Sequence, residues 1–360
     1  MNIVKATKRY EDWLGKHISL VAPDLALKHE EMANDQFSFL RATFYRWMQV
    51  WPEVCPDLQR VPRLLGVGDL HVENFGTWRD AEGRLVWGIN DFDETSIFPY
   101  TADLVRLATS ALVAIRETRL AMRPQAAVDA ILQGYREAMK EGGRPFVLGE
   151  EHTWLRLIAE NELRDPVRFW QKMDRLPAVK VVPERARQVL ERSLPEPGMK
   201  YRLARRVAGL GSLGRMRFVA VADWRGGRVA RETKPLVPSA MCWADREHTP
   251  RKVLYFTILE RAVHCPDPFL HLREEWLTRR LSPHCSRIEL ESLGKARGEL
   301  RLMTAMGRET ANIHLGTEGK RKAILKDLKS RKPGWLTIAA QAMAAAMDKD
   351  WRTWKENWRR

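Results

Sequence analysis

The chain has 360 residues, enough for two sub-domains packed as one unit and too many for a single small core. Its 61 Lys and Arg against 46 Asp and Glu leave a formal charge of +15, and 44% hydrophobic content excludes a largely disordered protein. No apolar run nears the ~20 residues of a membrane span, no secretory-type core follows Met1, and Cys55, Cys242, Cys265 and Cys285 are too scattered for a disulfide framework; a soluble, reduced, cytoplasmic protein with no membrane span is expected.

The first 60 residues read as helical. Met32 to Trp51 is the clearest piece, with Phe37, Phe39, Leu40, Phe44 and Trp47 near helical spacing, and Pro56 and Pro62 close it. From Leu64 to Asp91 the pattern becomes short strands, and Phe75–Arg79 and Arg84–Asn90 flank the turn sequence Asp80–Gly83, which predicts a hairpin. Helix returns after Pro99, where Leu104, Val105, Leu107, Ala108, Ala111, Leu112 and Ile115 form an apolar face. Pro124 opens another helix. Residues 149–195 read as amphipathic helices broken by prolines.

Composition shifts near Pro197. Arg215–Ala222 and Arg228–Lys234 flank Asp223–Gly227, predicting a second hairpin within a Gly-, Val- and Arg-rich stretch over 201–234. A helix near 251–264, a strand over Glu275–Leu281 and helices over 290–358 complete the chain. Three parts follow: 1–200, a helical large lobe; 201–285, a small β-rich lobe; and 286–360, C-terminal helices returning to the large lobe. The pI near 9.9 favours an anionic partner, either nucleic acid or a phosphate-bearing small molecule. The densest basic run, Lys320 to Lys332, would spread round a helix over about 318–330 as a solvated face.

The informative segment is Val67-Gly-Asp-Leu-His-Val-Glu-Asn-Phe-Gly76, followed by Gly88-Ile-Asn-Asp-Phe-Asp-Glu94. Closing the hairpin between them sets Asn74 at the start of one strand opposite Asp91 at the end of the other. Strands lie roughly 5 Å apart, so an amide oxygen and a carboxylate can share one cation. Such hard oxygen ligands suit Mg²⁺ with bound phosphates. An aspartate (Asp69), an asparagine five residues on, and an aspartate after a hairpin form the catalytic arrangement of kinases, with Asp91-Phe-Asp93 in the D-F-G place. Each residue alone is an ordinary turn former; the joint spacing makes the site. The opening block also resembles that of metallophosphoesterases, whose later blocks are missing. His264-Cys265 and His284-Cys285 lack the close spacing of zinc arms.

Gly209-Leu-Gly-Ser-Leu-Gly214 is G-x-G-x-x-G followed by a strand, a turn, a second strand and Lys234. A Rossmann loop would open a helix, whereas residues 215–222 alternate like a strand. A kinase-type loop, whose backbone N–H groups approach phosphates unhindered by Cβ atoms, fits better.

These blocks, with Asp103-Leu-Val-Arg-Leu-Ala-Thr-Ser110, resemble an uncharacterised, kinase-like bacterial family, the domain of unknown function 2252. Phe37–Arg41, the Gly209–Lys234 block, Pro268-Phe-Leu, Glu309–His314 and Met347–Trp351 resemble it too, so the likeness spans nearly the whole chain. The catalytic part is also similar to aminoglycoside-phosphotransferase-type kinases, which implies that Asp103 braces the catalytic loop by hydrogen bonding. Ordinary kinases place the Gly-rich loop first; the reversed order implies circular permutation. The expectation is therefore an α+β, protein-kinase-like two-lobed fold, circularly permuted, using ATP and Mg²⁺. Asp69 would orient the acceptor hydroxyl, with His71 positioning its loop. Asn74, Asp91 and Asp93 would hold metal, while Gly209, Gly211, Ser212 and Gly214 would cover the phosphates. Lys234 would neutralise them, paired with Glu247 or Glu260, and Arg106 and Arg261 are available for phosphate contact. The acceptor, small molecule or protein, is unidentified. Nucleotidyl (AMP) transfer on the same scaffold, or non-catalytic binding of nucleic acid or a partner through the basic surface, are the alternatives.

Overall fold

In the computed structural model, which describes residues 1–117, 120–149, 151–159, 165–245, 252–283, 285 and 298–358, the chain opens with α1 (Ile3–Leu14), α2 (Ala22–Asn34), α3 (Gln36–Ala42) and α4 (Phe44–Val54). The helix expected over Met32–Trp51 is thus broken twice. Asp35 is extended, and its carboxylate accepts from the Ser38 N–H at 2.7 Å to cap α3. Thr43 ends α3 by donating its hydroxyl to the Phe39 carbonyl at 2.6 Å. The two breaks turn Phe37, Phe39, Phe44 and Trp47 all inward, which one straight helix could not do.

Next come β1 (Arg63–Gly66), the expected hairpin of β2 (Phe75–Arg79) and β3 (Leu85–Ile89), and β4 (Ser96–Pro99), which pairs antiparallel with β1. Helices α5 (Tyr100–Arg116) and α6 (Pro124–Glu141) follow, then β5 (Phe146–Val147) beside β3, and α7 (Thr153–Ala159), α8 (Pro166–Asp174) and α9 (Glu184–Ser193). Helix α5 is buried from Tyr100 to Ala114 and forms the axis of the main core.

The strand-rich part holds β6 (Arg202–Arg205), β7 (Phe218–Trp224), β8 (Gly227–Pro235), α10 (Met241–Ala244), α11 (Tyr255–Arg261), β9 (His271–Arg273) and β10 (Trp276–Leu281). Its strands form an antiparallel sheet in the order β6-β7-β8-β10-β9. The strand expected from Arg215 begins at Phe218. Arg215 instead bridges Leu20 and turns its side chain inward. The expected helix start at 251 lies outside the described residues, as do 290–297.

Helices α12 (Glu299–Leu315), α13 (Arg321–Ser330) and α14 (Trp335–Trp358) return to the main core. There α12 touches α6 backbone to backbone: a Cβ on Gly134 would lie 2.0 Å from the Thr304 carbonyl oxygen, and one on Gly307 2.0 Å from that of Ile131. Helix α13 buries Ile324 and Leu328 and leaves Lys322, Lys326 and Lys329 exposed. Separate apolar clusters lie on the sheet. Val182, Ala186 and Leu190 pack on Leu203, Phe218 and Ala220, and Met173 packs on Val219, Val221, Ala230 and Leu281. The sheet's packing partners therefore begin upstream of residue 201. The fold is mixed α+β, and among the described residues no helix is long and apolar enough to cross a membrane.

Candidate active site

A cleft of about 550 Å³ lies between the loops flanking the β2–β3 hairpin and the strand-rich part. Its first wall is the loop from β1 to β2. The Val67 and Gly68 N–H groups donate to the two oxygens of Asp103 on α5, at 2.7 and 2.9 Å. Asp103 Oδ2 lies 2.9 Å from His314 Nε2, and His314 Nδ1 lies 2.9 Å from the Tyr135 hydroxyl. The loop is thus braced by the Asp103 carboxylate, as expected.

Asp69 stands on this loop, and Arg106 Nη2 donates to its Oδ1 at 2.5 Å. Arg106 is fully buried in α5, so it holds Asp69 from beneath and also donates to the Leu40 carbonyl at 2.7 Å. Burial pushes the Asp69 carboxyl up; Arg106 opposes the rise and Asp91 adds to it. The Asn74 side-chain amide donates to the Asp69 carbonyl at 3.2 Å and to the Asp91 carbonyl at 3.1 Å, stitching the two loops together. Asn74 faces Asn90, not Asp91, across the ladder, because Asn90 N–H bonds to the Asn74 carbonyl at 3.2 Å. The buried His71 accepts the Glu73 N–H on Nδ1 at 3.2 Å, which sets the tautomer with hydrogen on Nε2, and it meets Phe37 edge-on.

Asp91, with its side chain 45% exposed to the cleft, and Asp93 face Lys234 of β8. Lys234 Nζ lies 2.6 and 2.5 Å from the Asp93 oxygens and 3.5 Å from Asp91 Oδ1. Burial would raise Asp91, but Lys234, a hydrogen bond with Asp93 and the more distant Arg279 and Arg217 hold it well below the usual carboxylate range. Burial and the neighbouring Asp91 push Asp93 up instead, so the pair divides into a lower and a higher acid. Lys234 therefore meets aspartates. Glu260 is exposed on α11 and is not its partner, and Glu247 lies outside the described residues.

The second wall is the Gly-rich loop between β6 and β7. Gly211 lies against Asp69: a Cβ there would sit 3.4 Å from Asp69 Oδ2 and 3.0 Å from the Arg41 carbonyl oxygen. Gly209 and Gly214 both have left-handed φ, 77° and 93°. Ser212 Oγ donates to the Gly209 carbonyl at 3.1 Å and accepts from Arg217 Nη2 at 2.5 Å, closing the loop on itself. Behind it, Glu232 of β8 accepts from Arg206, Arg217 and Arg279 at 2.5, 3.0 and 2.9 Å. Burial would raise Glu232, yet the three guanidinium groups hold it well below its ordinary value.

Asn74, Asp91 and Asp93 carry hard oxygens of the kind that Mg²⁺ takes, one or two carboxylates with water and phosphate filling its shell, and the Asn74 amide nitrogen holds the Asp91 carbonyl. As described, the carboxylates are spanned by Lys234. No three His, Cys, Asp or Glu side chains among the described residues are set around a metal position. His264 packs tilted against Trp78 and lies 3.5 Å from Glu309, Cys285 Sγ accepts from Ser282, and His284 lies outside the described residues.

Sequence reasoning passed over Arg215, Lys28 and Glu232, and it offered Arg106 for phosphate contact, whereas Arg106 holds Asp69. Arg106 carried a signal, since with Asp103 and Ser110 it forms a narrow i, i+3, i+7 polar stripe on an otherwise apolar helix. The others are brought in by contacts over long chain separations. Arg261, exposed at the end of α11, lies away from the cleft-lining residues.

No curated protein and no solved structure matches the chain. Residues 20–193, a little under half of the chain, match the family described as an uncharacterized protein conserved in bacteria, the domain of unknown function 2252. The match takes in the braced loop, Asn74, the carboxylates and Asp103 but stops before the Gly-rich loop and Lys234, so it is narrower than the likeness read from the motifs, and this chain is similar to that family over its N-terminal half.

Proposed function

We propose that this chain is an ATP- and Mg²⁺-dependent phosphotransferase acting on a hydroxyl-bearing acceptor, with a kinase-like two-lobed arrangement joined in permuted order. The observation that carries this reading is the contact of Lys234 Nζ with both Asp93 and Asp91, the latter 143 residues away in the chain, beside a Gly-rich loop lying on Asp69. A lysine on the third strand of a sheet, a Gly-rich loop between the first two, and an Asp-x₄-Asn loop followed by an acidic triplet are the parts that phosphoryl transfer to a hydroxyl uses. That chemistry asks for position and charge, so the order in which loops join the parts is free.

In this reading Asp69, held by Arg106 and raised by burial, accepts the acceptor's hydroxyl proton. Asn74, Asp91 and Asp93 would hold Mg²⁺, which neutralises phosphate charge when bound. Lys234 would exchange its aspartates for phosphate oxygens, and the Gly209–Gly214 N–H groups would cover them. Titrating ATP calorimetrically with and without Mg²⁺ tests this. Mg²⁺-dependent binding is expected in the native chain and in Asp69→Asn, and is expected to be lost in Asp91→Ala. Asp69→Asn should also abolish turnover. Release of pyrophosphate in place of ADP would move the reading to AMP transfer, and no ATP binding at all would remove it.

A further inference from the structure

Beyond Asp69 the cleft ends in an inner wall that none of these roles uses. Lys28 of α2, Tyr10 of α1, Tyr45 of α4 and Arg215 line it. Lys28 is 2% exposed. Its Nζ donates to the Gly211 carbonyl at a long 3.5 Å and stands 5.7 Å from the centre of the Tyr45 ring. Among the described residues no carboxylate lies within ion-pair distance of it, and burial brings its ammonium down to about 8. Buried ammonium groups left so poorly compensated are costly, which points to a ligand.

Arg215 is a second buried cation, paired only at a distance with two carboxylates. It is buried, with Nη1 3.7 Å from Asp93 and Nη2 3.6 Å from Glu94, both beyond hydrogen-bond distance. Among the described residues its Nε and Nη1 have no hydrogen-bond partner. The carboxylates at this end are engaged elsewhere: Asp69 by Arg106, and Glu94 by the Ala240 N–H at 2.6 Å and Ser239 Oγ at 3.1 Å. Gly211 links the wall to the reacting end, with its carbonyl on Lys28 and its Cα side against Asp69.

We propose that Lys28 and Arg215 form an anion subsite for the acceptor, a small hydroxylated molecule whose phosphate or carboxylate group is seated between them while its hydroxyl reaches Asp69. The word acceptor rests on the phosphotransferase reading; the anion subsite does not. In the transfer, the acceptor oxygen bonds to the γ-phosphorus of ATP. The bond from that phosphorus to the β,γ-bridging oxygen breaks with its electrons leaving on ADP, and the hydroxyl proton passes to Asp69. Lys28 lines the cleft and is almost fully buried, so a small molecule can reach it where a folded macromolecule cannot. A neutral or cationic acceptor would leave Lys28 without an anion and Arg215 with only its long ion pairs.

The test is calorimetric titration of glycerol 3-phosphate, glycerate, inorganic phosphate and glycerol into the full chain, with and without Mg²⁺ and β,γ-methylene ATP, whose own phosphates fill the nucleotide position. At least one anion should bind and glycerol should not, and the better of phosphate ester and carboxylate identifies the oxyanion. Lys28→Met should weaken that binding at least about tenfold, and Lys28→Arg should recover most of it, with affinity for the ATP analogue unchanged in both. Lys28→Met places an apolar chain of similar length in a buried position, so its melting temperature should not fall, and Arg215→Lys gives an independent variant. Equal binding of glycerol, no anion binding, or a Lys28→Met loss confined to the ATP analogue would each overturn the subsite. Lys28-dependent anion binding without any binding of the ATP analogue would keep the subsite and sink the phosphotransferase reading.

Discussion

The wall that carries Asp69 and Asn74 is fixed from behind by the main core, whereas the wall that carries the Gly-rich loop hangs from the edge of a sheet. On the first, Asp103, Arg106 and the Asn74 amide each hold backbone or carboxylate through short bonds to buried groups. On the second, the loop is tied by the Arg217–Ser212–Gly209 link, by the Val21 N–H on the Gly214 carbonyl at 2.9 Å, and by the long Lys28 contact. The difference teaches a division of labour. If the chain is the phosphotransferase proposed above, the groups whose mutual geometry must be set in advance stand on the rigid side, and the segment that would admit the nucleotide stands on few bonds.

The largest break in that comparison is expected at Glu232, on which the sheet side depends. Glu232→Gln leaves Arg206, Arg217 and Arg279 facing one another without an anion and should cost about 4 kcal/mol in urea unfolding. The sign with pH follows from its lowered acidity constant. The folded chain binds the Glu232 proton less readily than the unfolded chain, so this stabilisation is present above the unfolded value near 4.5 and lost as pH falls below it toward the lower folded value. The gap between native and variant stability should therefore close in acid; a gap independent of pH would show that Glu232 acts by shape alone.

Glu94 provides the opposite sign. Burial, against Arg215 and the Ala240 N–H, pushes its carboxyl up to about 7. The folded chain thus holds this proton more tightly than the unfolded chain. The associated stability is full below the unfolded value near 4.5 and is lost as pH rises through about 7, a loss of about 3 kcal/mol. Glu94→Gln keeps an acceptor for Ala240 and removes the titration. Measured without magnesium, its unfolding free energy should match the native chain near pH 4 and exceed it near pH 8.

How much of this was legible depended on chain distance. The hairpin and the apolar face of α5 come from local patterns and the fold has both, although α5 is buried all round and Asn74 faces Asn90. Asp91 lies past the last ladder pair, Phe75 with Ile89, so pairing alone could not set its position. The helix over Met32–Trp51 was misread because apolar periodicity runs through Asp35 and Thr43, whose capping bonds end it. Lys28 meets Gly211 across 183 residues, and Glu232 meets Arg206 and Arg279 from other strands or loops. No spacing rule reaches such pairs; only the closed fold brings them together.

On the rigid side, Asp103→Asn sharpens the comparison. One oxygen still accepts, but the new amide faces a loop N–H or His314 as donor against donor, leaving a buried group unmet. A loss of about 2 kcal/mol is expected. Hydrogen exchange should accelerate across residues 67–74 and remain unchanged at 209–214. Equal acceleration in both segments would mean that the two walls are fixed as one unit.

The smallest expected effect is at Ser212, and it tests the other half of the division. Ser212→Ala removes the acceptor of Arg217 Nη2 and the donor to the Gly209 carbonyl, while Arg217 keeps Glu232 at 3.0 Å. Because the loop borders the cleft and its freed groups can reach water, the cost should be about 1 kcal/mol or less. Exchange at 209–214 should rise several-fold while 67–74 stays protected, since Gly211 touches the first wall without a hydrogen bond to Asp69. If the loop instead stayed as protected as in the native chain, its order would come from the contacts of Gly214 with Val21 and Leu25 on the N-terminal side, and α2 rather than the sheet would be the element that sets its position.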